Sequence, residues 1–143
     1  EYVSSTTGKK VWSNYWPGSG ADTNFDIIGH VYDNPMQRFV ICTDGTITDR
    51  ATAIATIFEN AEFSAESGQG AQDGSTTTGI SAAQLDISTV DASDLSHPLK
   101  IVGILDDEEN QDFTAAGIPM IVMINNHALT APATGGSAEG TVA

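Results

Sequence analysis

The sequence predicts a mainly β fold, a small β-barrel or β-sandwich with at most one short helix, a long surface loop and a flexible C-terminal tail. Three observations predict it. Two apolar runs, "LKIVGIL" (99–105) and "IPMIVMIN" (118–125), flank an acidic knot with no helical period between them. Earlier runs rich in β-branched and aromatic residues are cut short by Gly, Pro, Asn and Asp. A single stretch, 48–63, has the spacing of a helix. The 143 residues make one domain's worth of chain, and a hydrophobic content of 40% supports a core. We assign a single β-rich domain to 1–129 and the tail to 130–143.

In chain order, residues 1–23 mix aromatics with turn formers, as in "KKVWSNYWPGSGAD". This segment reads as an arm or a lid. "NFDIIGHVY" (24–32) reads as a strand, ended by Asn34-Pro35. "MQRFVICTDGTIT" holds Asp44-Gly45 between β-formers, the strongest short-range hairpin signal, so a hairpin is expected over 37–48. In 48–63, Asp49 is a helix cap and Ile54 and Phe58 fall four apart. Its many Thr and Ile residues favour a single helical turn followed by a strand as the rival reading. Residues 64–79 are small and polar and form the long loop. "ISAAQLDIST" (80–89) alternates, with Ala83, Leu85 and Ile87 on one side, and reads as a strand with one wet face. Residues 90–98 connect it to the first opening run.

The two opening runs are apolar on both sides. Leu99, Ile101, Gly103 and Leu105 share one face of the first. Ile118, Met120, Val122 and Ile124 share one face of the second, and Pro119, Ile121 and Met123 the other. Strands buried on both faces read this way. The chain lacks the alternating helices of a parallel α/β sheet. The runs therefore form a central hairpin whose second face is covered by a folded-back segment or by a neighbouring subunit.

Charge limits the partners. Nineteen acidic residues against five basic ones give a net charge of −14. Lys9, Lys10, Arg38, Arg50 and Lys100 are scattered, which argues against nucleic acid and against an anionic membrane surface. No run reaches transmembrane length. Cys42 alone forbids an internal disulfide and reads as a small buried hydrophobe. The chain starts without Met, as a trimmed or cleaved product would.

No constellation here announces catalysis. The acidic loop 106–112 fails the EF-hand spacing in both registers: starting from Asp106, the Gly position is Gln111 and the twelfth is Gly117. A hairpin loop whose charges keep a greasy hairpin soluble explains it more simply. Asp44 and Asp73 precede Gly and read as turn residues. His30, His97 and His127 sit in no zinc frame. Nucleophile elbow, P-loop and dinucleotide fingerprint are all missing. We expect no catalytic residue, no metal and no cofactor. The aromatic cluster Trp12, Tyr15, Trp16 reads either as a lid on the core or as a contact surface.

The order of several pieces carries a resemblance. "TTGKKVWSNYWP", "VYDNPMQRFVICTDGTIT", "TTTGISAAQLDIST" and "LKIVGILDDEENQDFTAAGIPMIVMINNHAL", together spanning most of 6–129, resemble the head decoration, or cement, proteins of tailed bacteriophages. The resemblance implies a β-rich barrel or sandwich without catalytic residues. It also implies a place on the outer capsid surface of the virion, bound to the major capsid protein lattice, commonly as a homotrimer. With this reading, two contact surfaces are expected: Trp12, Tyr15 and Trp16, and the outward face of Ile121 and Met123. The alternative is an extracellular β-module that binds carbohydrate, with calcium at the acidic loop.

Overall fold

A computed structural model describes residues 1–64, 78–106, 112–127 and 129. The chain is mainly β, with two sheets and one short α-helix among the described residues. Strands β1 (Tyr2–Val3) and β2 (Lys10–Val11) form a two-stranded antiparallel ribbon. The main sheet contains β3 (Arg38–Thr43), β4 (Asn60–Ala61), β5 (Gln84–Leu85), β6 (Leu99–Ile104) and β7 (Pro119–Ile124), in the order β4-β6-β7-β3-β5. It curls into a half-barrel. Its edges are tied beyond β4 by a bridge between Phe63 and Leu85. Ser64 N donates to Gln84 O (2.8 Å) and Asp86 N to Glu62 O (3.0 Å) there.

The expected central hairpin is present as β6 and β7, paired from Leu99↔Ile124 to Ile104↔Met120. A bulge between Ile101 and Gly103 changes one detail. The extra residue moves Gly103 off the face that strict alternation gives it and sets it opposite Ile121. The inner face holds Leu99, Ile101, Met120 and Val122, all buried with Ile41, Leu85, Phe113 and Ile118 in one core.

The hairpin expected over 37–48 does not form. Strand β3 ends at Thr43, and both its sides are occupied, by β7 and, at Cys42–Thr43, by β5. Gly45 does not take the left-handed conformation that the tight Asp-Gly turn needs. The corner is held instead by Thr43, whose hydroxyl donates to Gly45 O (2.9 Å), and by Asp44, whose carboxylate accepts from Ile87 N (3.2 Å). Ile47 then turns into the core, its N–H on Phe113 O.

The rival reading of 48–63 holds. Asp49 caps α1 (Arg50–Ala55), accepting from Thr52 N at 2.8 Å, and β4 follows. The helix stops before Phe58, whose φ of 77° is left-handed, so Ile54 and Phe58 are both exposed and Ala53 is the buried contact. The strand expected over 80–89 shortens to Gln84–Leu85, followed by a 3-10 turn over Ile87–Thr89. The strand expected over 24–32 is absent: it lies in no ladder and its side chains are exposed. Cys42 lies exposed on β3, not in the core, because it alternates with buried Ile41 and Thr43. Most of the long loop, the centre of the acidic knot and the tail lie outside the described residues.

A device unread in the sequence recurs. In Asp86-x-Ser88, Asp91-x-Ser93, Asp94-x-Ser96 and Asp112-x-Thr114, the carboxylate accepts from both the backbone N–H and the hydroxyl two residues on, at 2.6–3.0 Å. These are Asx turns. The hydroxyls of Ser93, Ser96 and Thr114 hold the carboxyls of Asp91, Asp94 and Asp112 below their ordinary range. A carboxyl depressed by folding stabilises above its unfolded pKa, about 3.9, and loses that contribution as pH falls through the folded value. The melting temperature should therefore drop more steeply below pH ~4 in the wild type than in an Asp91→Ala/Asp94→Ala/Asp112→Ala variant. Parallel pH profiles would refute the role of these turns.

Candidate functional site: the aromatic arm and the outer sheet face

Residues 1–37 form an arm beside the barrel. Its ribbon is closed by Ser4 N on Lys9 O (2.9 Å) and Gly8 N on Ser4 O (2.8 Å), with Gly8 at a φ of 63°. Ser4 also bridges Ala21, and Ile28 N donates to Glu1 O (2.9 Å). Lys10 pairs with Glu1. The arm has almost no interior, since Ala21 is its one buried residue.

Its large apolar groups face outward. Trp12 and Trp16 are 68% and 72% exposed, against 41% for Tyr15. Trp12 stacks on His30, with centroids 5.1 Å apart and planes at 26°. Tyr15 is set by a two-way contact with Ser13, whose hydroxyl accepts from Tyr15 N and donates to Tyr15 O. The structure therefore places these three side chains on a surface, not as a lid on the core. Sequence reasoning missed Phe25, Ile28, Val31, Tyr32 and Met36, all exposed on the same arm.

Asn14 fastens the arm to the barrel, its Nδ2 donating to Thr78 O at 2.8 Å. Gly79 makes room for it. A Cβ at this residue, whose φ is +71°, would stand 2.0 Å from Asn14 Nδ2.

Ile121 and Met123 lie on the opposite side of the sheet from the core. Cross-strand pairing sets two rows there, Arg38–Met123–Lys100 and Val40–Ile121–Gly103. Ile121 leans over Gly103, with its Cδ1 3.8 Å from where a Cβ would stand. Ile121 and Met123 are half-buried and Val40 is exposed. The two expected surfaces are thus on different parts of the molecule and are not brought together.

An apolar cavity of about 830 Å³ opens at the barrel end between β3, the bridge region and residues 80–84. Phe39, Phe63, Ile80, Leu99, Val122 and Ile124 dominate its wall, which among the described residues holds no carboxylate, histidine or lysine. Such a wall can bind apolar surface.

The histidines do not converge. His97 is buried with Nε2 3.3 Å from Asp94 Oδ2 and 3.8 Å from Glu62 Oε1. His127 Nδ1 accepts from Leu129 N in a turn. Among the described residues no three His, Cys, Asp or Glu side chains are grouped to hold a metal ion. Of the acidic loop, Asp106 and Asp112 are described, both exposed. None of the described helices is long and apolar enough to cross a membrane.

Comparison with known proteins gives no relative. No protein-family model matches the chain. Curated proteins and solved structures likewise give no match.

Proposed function

We propose that this chain is a non-enzymatic structural protein that binds the outer surface of an assembled phage capsid and stabilises it as a homotrimer. The arm is the observation that supports this most. A segment of this length with one buried residue cannot hold its apolar side chains in water for its own stability. Exposed Trp, Tyr, Phe, Ile and Val side chains concentrated on it are the composition of a contact surface. The resemblance to cement proteins supplies the identity of the surface met.

The mechanism is thermodynamic. A protein that binds the closed shell and not its free subunits stabilises the shell by mass action. Three arms on one trimer engage neighbouring lattice positions, so avidity adds to each contact.

Density-gradient sedimentation with shells tests it. The wild type should travel with shells at a fixed ratio to the shell subunit. Trp16→Ala should weaken decoration at least about tenfold, the cost of a buried aromatic anchor. Ile121→Asp should weaken decoration as well, by placing a charge on the outer sheet face. A chain that stays at the top of the gradient, or two variants that decorate normally, would refute the proposal.

A further inference from the structure

The outer sheet face and the arm carry opposite unpartnered charges. On the face, Arg38 and Lys100 flank Met123 in one cross-strand row, with Val40 and Ile121 in the next. These paired positions hold two of the chain's five cations and no carboxylate, in a protein with nineteen acidic residues. Lys10 and Arg50 are paired with Glu1 and Asp106, but neither Arg38 nor Lys100 has an ion pair among the described residues. The arm stretch "DTNFDIIGHVYD" (22–33) is the converse. It holds three Asp and no Lys or Arg, with Phe25, Ile28, Val31 and Tyr32 exposed between them. Asp26 and Asp33 have no partner among the described residues.

The chain cannot satisfy itself by this route. Phe39 alternates with Arg38 and Val40, so its side chain lies on the inner side of β3. Tyr32 packs edge-on against Phe39, with centroids 6.4 Å apart, and the arm therefore leaves β3 on the side away from the outer face. Further back it is held by Trp12 on His30 and by Asn14 on Thr78.

We propose that the outer face of β3, β7 and β6 is the docking surface for residues 22–33 of a second copy of this chain, with Asp26 and Asp33 meeting Arg38 and Lys100 across an apolar strip. Each copy then gives one arm and receives one. Such a contact is head-to-tail and closes when the rotation between copies completes a ring. The inference deepens the function proposed above, from which it takes the self-association of the chain. It accounts for an outer face on which Val40 is exposed and Ile121 and Met123 are only half-buried.

Sedimentation velocity on the purified chain, without shells, tests it. The wild type should form a closed oligomer that weakens as salt rises. Arg38→Glu/Lys100→Glu should lower the association constant at least about tenfold, and so should Asp26→Lys/Asp33→Lys. The chain carrying all four substitutions should associate again, which a merely misfolded variant could not do. A wild type that is monomeric at every concentration would overturn the proposal. So would a face variant that associates normally, or a fourfold variant that does not recover. Shell binding is read separately: a monomer that still decorates shells refutes this contact and the trimer and leaves only the binding to the capsid standing, whereas an oligomer that ignores shells refutes the capsid reading and leaves this contact standing.

Discussion

Ile101→Ala is expected to destabilise the protein by about 3 kcal/mol, within the range of about 2–5 kcal/mol for truncating a buried Ile. Ile101 is fully buried and sits at the middle of the sheet, opposite Val122. Both its backbone groups are tied to the segment that leads into β4: its N–H donates to Glu59 O (3.0 Å) and its C=O accepts from Phe58 N (2.8 Å). The bulge follows directly after it. The strand therefore cannot move in to refill the space, and the cavity persists with its lost contacts. In a domain of this size each kcal/mol moves the melting temperature by roughly 2–4 °C, so a fall on the order of 10 °C is expected. Ile54→Ala is the control. Ile54 fits the helical spacing of 48–63 equally well, yet it is 49% exposed and its truncation should cost under about 0.5 kcal/mol. Chemical denaturation of both variants checks this, and equal losses would show that the core is not where the sheet places it.

The pair of isoleucines also marks what sequence could say about this fold. The β6–β7 hairpin was legible because two apolar runs of strand length leave few alternatives. The cap at Asp49 was legible because it depends on its own neighbours. What was illegible depended on distant partners. "NFDIIGHVY" has β-forming residues and forms no strand, because a strand is made by a neighbour and the barrel offers it none. The bulge that moved Gly103 to the outer face leaves no mark on the local pattern. The aromatic cluster was found as a composition, yet the rest of the arm was hidden by being read as a strand. The rows that join Arg38 to Lys100 through Met123 exist only once the order β6-β7-β3 is known.

Thr43→Val is expected to cost about 2–3 kcal/mol, through hydrogen bonds and not through packing. Valine matches the shape of threonine, so the β-branched fit in β3 is kept. The hydroxyl, however, is fully buried and bonded twice: it accepts from Ile118 N at 3.1 Å and donates to Gly45 O at 2.9 Å. Its loss strands the N–H of Ile118, a fully buried residue. Three backbone bonds meet at the same corner, from Thr43 N to Ile118 O, Gly117 N to Thr43 O, and Asp44 N to Leu85 O. The hydroxyl thus holds β3 and the approach to β7 at the place where Asp44-Gly45 alone would turn the chain back on itself. Thr43→Ser keeps both bonds and gives up one methyl, at about 1 kcal/mol. The order of stability should therefore be wild type, then Ser, then Val, which puts last the residue that hydrophobicity alone puts first at a buried position. Denaturant unfolding gives the ranking, and amide hydrogen exchange at Ile118 should speed up in the Val variant and stay slow in the Ser variant. A Val variant as stable as the wild type would mean that the corner is held by its backbone bonds alone.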